Sequence, residues 1–145
     1  MARLIFVNLP VANLPRAIAF YQAIGFVNQP AFTDETAACM AWTDTIFVML
    51  LTHDKWRSFT DRPIAPPTAS EVALAINLGS VAAVDHLVAT GAANGGVADI
   101  NPPQDMGFMY QRALADPDGH VWEPFWMDPA AIPPVETNTP TEDTQ

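Results

Sequence analysis

One order of local signals runs through this chain twice, and that repetition limits its fold more than any single residue does. Leu4 to Val11, "LIFVNLPV", is a strand-like apolar run. Asn13 stands where a helix needs an N-cap and Pro15 is tolerated in a first turn. Leu14, Ala17, Ile18, Tyr21 and Ile24 then recur at helical spacing until Gly25. "AACMAW" and "TIFVMLLT" follow as a strand pair around the short Thr43-Asp44 step. After the polar, proline-bearing "HDKWRSFTDRPIAPPTAS" the order returns. "EVALAINL" reads as a strand, and Ser80 caps a helix with Val81, Val84, Leu87 and Val88 on one face. Gly91 is expected to stop that helix, and "GFMYQRAL-ADPDG-HVWEPFW" forms a second hairpin. Two copies of one small unit account best for this order, although their sequence identity is slight.

The 145 residues are most simply one compact unit, large enough to bury a core without staples. We divide residues 1–128 into a module at 3–52, a linker at 53–69 and a second module at 70–128. The linker holds Lys55, Arg57 and Arg62, three of the six basic residues. Beyond Asp128 the chain has too little apolar content to pack, and residues 129–145 read as a disordered tail. Sixteen acidic residues against six basic ones give a net charge of −10. That balance argues against nucleic acid, whose phosphates require a basic face, and against anionic membrane surfaces. Solubility is the simplest use of the charge. Cys39 is the single cysteine, so no internal disulfide forms, and its apolar setting suits a small core residue. The N-terminal apolar run is too short for a signal peptide and no run is long enough to span a bilayer. A soluble cytoplasmic protein is expected.

The βαβββ order, the opening "FVNLPVANLPRAIAFYQAIGF" and the close "DPDGHVWE" resemble the vicinal oxygen chelate superfamily. That group includes glyoxalase I, bleomycin-resistance proteins, fosfomycin-resistance enzymes and extradiol dioxygenases. The resemblance covers residues 3 to 128 and implies an α+β fold, in which two βαβββ modules curl a mixed sheet into a cup. For the reaction it implies little, since one fold hosts many sites. Metal-dependent members place one ligand on the first and one on the last strand of each module. Carried over, those positions are Phe6, Met49, Glu71 and Glu123. Phenylalanine has no donor atom, and a thioether suits Cu(I) rather than Zn, Ni, Mn or Mg. Glu71 and Glu123 with waters would hold Mg²⁺ or Mn²⁺ weakly, so a weakly bound divalent metal is the most this set implies. His53, His86 and His120 are read as surface residues.

Glu123 is a charge in the middle of a strand, where a partner is expected. If "DPDG" is a four-residue turn, Ala115 pairs with His120 and Arg112 falls opposite Glu123. A bidentate ion pair would then replace the metal. A one-residue slip would send Arg112 to the other face. The same parity places Val121 and Phe125 beside Glu123, with Trp122 and Trp126 on the helix-packed face. Phe47, Met49 and Leu51 line the cup with Met40 and Trp42 across the hairpin, Phe6 shares a face with Asn8, and Glu71 is expected in the same cup. In "PPQDMGFMY", Gln104, Asp105, Gly107 and Tyr110 form either a rim or an ordinary hairpin entry. Trp56 and Phe59 either close an opening or only cover apolar surface.

Aromatic and methionine side chains with a few polar anchors suit a small, partly apolar organic ligand, or else fill a closed core. The candidate ligand-binding residues are Phe6, Asn8, Trp42, Met49, Tyr110, Arg112 and Phe125. Glu123 and Glu71 are the candidate catalytic residues. Three functions remain open. One is a metal-free binder similar to the bleomycin-resistance branch. Another is a lyase or isomerase resembling lactoylglutathione lyase (glyoxalase I), which would move a proton with a tuned glutamate. The third is a structural or partner-binding protein with a filled cup. The resemblance also implies a homodimer that covers sheet edges and apolar rims.

Overall fold

A computed structural model describes residues 2–136. The first module runs β1 (Ile5–Val11), α1 (Leu14–Ala23), β2 (Val27–Asn28), β3 (Ala37–Ala41) and β4 (Ile46–Thr52). Its sheet order is β1-β4-β3-β2, with β1 parallel to β4. A short helix, α2 (His53–Arg57), opens the linker. The second module runs β5 (Ala73–Asn77), α3 (Val81–Ala93), β6 (Val97–Ala98), β7 (Gln104–Asp105), β8 (Met109–Gln111), β9 (Leu114–Ala115) and β10 (Val121–Met127). Its sheet follows β6-β9-β10-β8-β7, with β5 added parallel to β10. The α+β architecture of two curled βαβββ modules is therefore present. Among the described residues no helix is long and apolar enough to cross a membrane. At the start of the expected tail, Pro129–Ala131 makes a 3₁₀ turn capped by Asp128. Residues 137–145 of that tail lie outside the described residues.

Local chemistry explains most element ends. Asn13 Oδ1 accepts from Arg16 N at 3.0 Å, and Gly25 leaves α1 at φ 114°. Ser80 Oγ caps α3 through Ala83 N at 3.0 Å. Gly91 does not stop α3, which continues to Ala93. It is a packing glycine instead: a Cβ there would strike the Leu114 side chain.

Both hairpins carry one residue more in the loop than expected, for the same kind of reason. Thr43 Oγ1 accepts from the backbone of Thr45 (3.2 Å) and Ile46 (3.1 Å), which draws Thr45 into the turn. Trp42 N then donates to Ile46 O, and Cys39 pairs with Met49. In the second hairpin Asp116 Oδ1 accepts from Asp118 N (2.9 Å) and His120 N (2.8 Å). Gly119 completes that turn at φ 88°, and Ala115 pairs with Val121 rather than with His120. Because side chains alternate across a strand, each slip reverses the faces of the strand leading into the turn. Pro124 lies opposite Arg112 and has no N–H to return, so the ladder breaks there between β9 and β8.

The two sheets and two long helices share one core. Leu9, Val11, Met40, Val48 and Leu50 meet Phe20 and Tyr21 of α1, Leu87 and Val88 of α3, and Leu114 and Trp122. At its centre Tyr21 Oη donates to Asp116 Oδ2 at 2.6 Å, and Trp122 Nε1 donates to Tyr21 Oη at 2.9 Å. Tyr21 is fully buried and Asp116 is 2% exposed, so this chain crosses between the modules out of reach of water. Burial pushes the Asp116 carboxyl up, against the pull of His120 and the Tyr21 hydroxyl. Burial first, and the Asp116 charge second, hold the Tyr21 hydroxyl well above its ordinary value, so it stays a donor.

Tyr21→Phe deletes the donor and leaves the carboxylate oxygen facing apolar side chains. Urea unfolding should register a loss of about 1–3 kcal/mol, the range for an orphaned buried acceptor. A loss below about 0.5 kcal/mol would mean that the backbone donors alone satisfy Asp116.

Candidate functional site

The concave face of the first module carries Phe6 and Asn8 from β1, Phe47, Met49 and Leu51 from β4, and Ala37 and Cys39 from β3. The register aligns Asn8, Met49 and Cys39 across the three strands. Phe6 is half exposed and stacks on Phe47 with ring centroids 4.7 Å apart. Cys39 is buried, and burial pushes its thiol up, which keeps it protonated and unreactive. Directly after β4, Thr52 Oγ1 caps α2 through Lys55 N at 3.2 Å. That turn brings α2 back over the sheet, with Lys55 Nζ 5.3 Å above the Phe59 ring. Between helix and sheet lies an apolar pocket of about 400 Å³, walled by Asn8, Ala37, Met49, Leu51, Trp56 and Phe59. Trp56 and Phe59 thus form one wall of this pocket, with Phe59 itself largely exposed.

The concave face of the second module carries Val121, Glu123 and Phe125 from β10 beside Ala73, Ala75 and Asn77 from β5. The half-buried Glu123 does have a partner: Gln111 Nε2 donates to its Oε2 at 2.9 Å. The expected Arg112–Glu123 pair is absent, because the longer turn moves Arg112 one position along the ladder. Arg112 lies on the opposite face, where Nε and Nη2 donate to Asp99 at 3.0 and 2.7 Å and Nη1 donates to Asp85 at 3.1 Å. Tyr110 follows it, with its hydroxyl on Asp85 of α3 at 2.7 Å. In the first module the same slip turns Met40 into the core and Trp42 onto Phe26, ring centroids 5.0 Å apart. Trp42, Tyr110 and Arg112 therefore do not face the concave side. Gln111, which does, is the residue missed, and the side-chain-capped turn was its only signal.

Glu71 does not join Glu123. It is exposed and stands ahead of β5, whereas Glu123 pairs with Ala75. Glu71 lies two residues before β5 begins, and Ala75, the partner of Glu123, lies two residues into it. Glu71 instead borders a smaller cavity with Asn8 and His120, more polar than the first. Phe6, Glu123 and Phe125 line neither pocket. His120 is not a simple surface residue, since its Nε2 lies 2.7 Å from Pro10 O and bridges the modules. Among the described residues no three His, Cys, Asp or Glu side chains converge on one point. With a phenyl ring and a thioether at the other two positions, and Glu71 apart from Glu123, these four positions do not fit a hard divalent ion. Gln104 and Asp105 pair with β8 as an ordinary hairpin, in which Asp105 Oδ1 accepts from Gly107 N at 2.9 Å.

A family profile described as Glyoxalase/Bleomycin resistance protein/Dioxygenase superfamily matches residues 3–123. No curated protein matches the chain. Similar solved structures include a hypothetical protein from S. aureus, with 21% identity, TM-score 0.73, and 87% of this chain and 94% of that one covered. A glyoxalase/bleomycin resistance protein/dioxygenase family enzyme from Burkholderia phytofirmans PsJN has 22% identity and TM-score 0.71, with coverage of 87% and 99%. The antibiotic binding protein TnmS3 from Streptomyces sp. CB03234 has 18% identity and TM-score 0.59, with coverage of 88% and 97%. At these identities the likeness is one of fold.

The relocated Arg112 has a pH signature. Its hydrogen bonds hold the Asp99 carboxyl below the usual range. A depressed carboxylate adds stability above its unfolded pKa and loses it as pH falls through the folded value. The melting temperature of Asp99→Asn should therefore lie below that of the parent at neutral pH, and the gap should close as pH falls from about 5 to about 2. A gap unchanged by acid would remove the ion pair as its cause.

Proposed function

The chain belongs to the glyoxalase/bleomycin resistance protein/dioxygenase superfamily, and we propose that it binds a small, largely apolar organic molecule between β4 and α2, without a tightly held metal ion. The observation that carries this reading is the apolar pocket of about 400 Å³ under Trp56 and Phe59. Its size falls in the usual range for small-molecule sites. Asn8 supplies a polar anchor, and Met49 adapts to irregular shapes. The Streptomyces relative described as an antibiotic binding protein supports a binding role for the fold. Exposed Ala73 and Ala75 leave the second module's concave face open, and Phe6 on the first is half exposed, which weighs against a filled cup.

One observation favours the lyase or isomerase alternative. Glu123 sits half-buried on a concave face and is oriented by Gln111, as a proton carrier would need to be. The chain also works as a homodimer in our reading. Both β1 and β5 are sheet edges, and Leu4, Ile5 and Phe6 are exposed at one of them.

Neutral aromatic compounds that fit the pocket should raise the melting temperature, and Met49→Gln should abolish the rise. A ligand at about 100 times its dissociation constant stabilises by roughly 2.7 kcal/mol. Millimolar Mg²⁺, Zn²⁺ or Ni²⁺ should shift melting little, and chelator should leave it unchanged. A stoichiometric co-purifying metal would make the enzyme reading the better one. So would isomerisation of the methylglyoxal–glutathione hemithioacetal that is lost in Glu123→Gln. Light scattering should report twice the 15.7 kDa chain mass, and a clean monomer would remove the dimer.

A further inference from the structure

We propose a second ligand site, in the smaller and more polar of the two cavities, beneath the proline-bearing part of the linker, that takes a small organic ammonium ion carrying a hydrogen-bond acceptor. The cavity, about 160 Å³, lies where the linker passes between β1 and the start of β10. Its wall includes Asn8, Trp56, Glu71, Asp118 and His120. Asn8 and Trp56 also border the apolar pocket, but the two spaces differ in chemistry.

Two polar atoms of residues in this wall are buried and have no hydrogen-bond partner: Asp118 Oδ2 and Trp56 Nε1. The Asp118 side chain is 9% exposed. Its other oxygen is already engaged, since Oδ1 accepts from Ala12 N at 2.9 Å and lies 3.5 Å from Arg16 Nη2. Of the two carboxylate oxygens only Oδ2 lacks a hydrogen-bond partner. Folded proteins seldom leave such groups unmet, because each loses its water without replacement. The two orphans are of opposite kind, a charged acceptor and a neutral donor. One occupant satisfies both only if it donates at one end and accepts at the other.

Charge selects among such occupants. Two carboxylates, Asp118 and Glu71, border the cavity, and Arg16 is the cation that touches Asp118. His120 is committed through Nε2 to Pro10 O. The remaining negative charge favours an ammonium over a neutral alcohol or amide. Size sets the scale, since a cavity of about 150 Å³ holds a molecule as large as benzene. Pro63, Ile64 and Pro66 offer an apolar roof to its carbon atoms.

Glycinamide, an ammonium with a carbonyl two bonds away, is a suitable probe. The readout is the indole Nε1–H signal of Trp56 in ¹⁵N spectra of the full chain, assigned from its loss in Trp56→Phe. Glycinamide should shift that signal saturably. Acetamide, which keeps the carbonyl and lacks the charge, should bind at least about tenfold more weakly. Asp118→Asn keeps an acceptor for Ala12 N and should weaken glycinamide by a similar factor. If that variant does not fold, Glu71→Gln, exposed and without a structural hydrogen bond, should weaken it in the same direction. No saturable shift, or equal shifts from glycinamide and acetamide, would overturn the proposal and leave a cavity that holds only water. An Asp118→Asn or Glu71→Gln affinity equal to the parent's would overturn it as well. The Met49 methyl signal, followed in ¹³C spectra of the same protein with a neutral aromatic probe, reports the apolar pocket. Failure of one site is thus separable from failure of the other.

Discussion

Asp116 accepts hydrogen bonds from the Tyr21 hydroxyl and from the backbone of Asp118 and His120, and three parts of the molecule meet at that carboxylate. Through Tyr21 it ties the first helix to the second module. Through its own turn it holds Gly119 in the left-handed region, where a side chain would also collide with Pro67. That turn sets the register of β9 and β8 on β10, and the register decides that Gln111, not Arg112, reaches Glu123. A single buried acid thus links core, turn and concave face. Its burial has no cheap alternative, because an unpaired carboxylate in an apolar core is far costlier than the ordering of one turn.

The linker gives the open sheet its enclosed spaces. A concave face made only of Ala37, Met49 and Leu51 would be wet. Because Thr52 caps a helix at once, the chain doubles back and lays Trp56 and Phe59 across that face. Farther along, Pro63 to Pro66 cross toward β5 and roof the smaller cavity. Prolines suit that path, since they hold an extended course without needing backbone donors. The two modules therefore diverge in use despite their common order. One concave face is covered and apolar, while the other is open, with Glu123 and Gln111 on small alanine neighbours.

Arg112 illustrates how a charge finds its place. On the helix-packed side it meets Asp99 and Asp85 together, and the bidentate contact to Asp99 fits the planar guanidinium. Tyr110 completes that cluster through Asp85, fastening α3 to the sheet. Asp99 adopts a positive φ of 55°, a conformation that a short polar side chain tolerates. The concave face is left with a neutral amide as the partner of Glu123.

Strand, helix and strand-pair order, the helix caps at Asn13 and Ser80, and most core-facing residues of both helices were legible in the sequence, although Val81 is exposed and the fully buried Phe20 was not among those expected. Each depends on spacing or on chemistry within a few residues. The parity of β10 was equally plain, with Val121, Glu123 and Phe125 on one side and Trp122 on the other. What only the tertiary structure decided was which residues face each other across strands. Thr43 and Asp116 lengthen their turns by accepting backbone hydrogen bonds, and one added residue exchanges Arg112 for Gln111 and turns Trp42 and Tyr110 away. The separation of Glu71 from Glu123, and the return of α2 over the sheet, likewise depend on register and packing between distant segments. A side-chain alternation has a period of two, so local pattern fixes each strand's faces but leaves the pairing between strands to the turns.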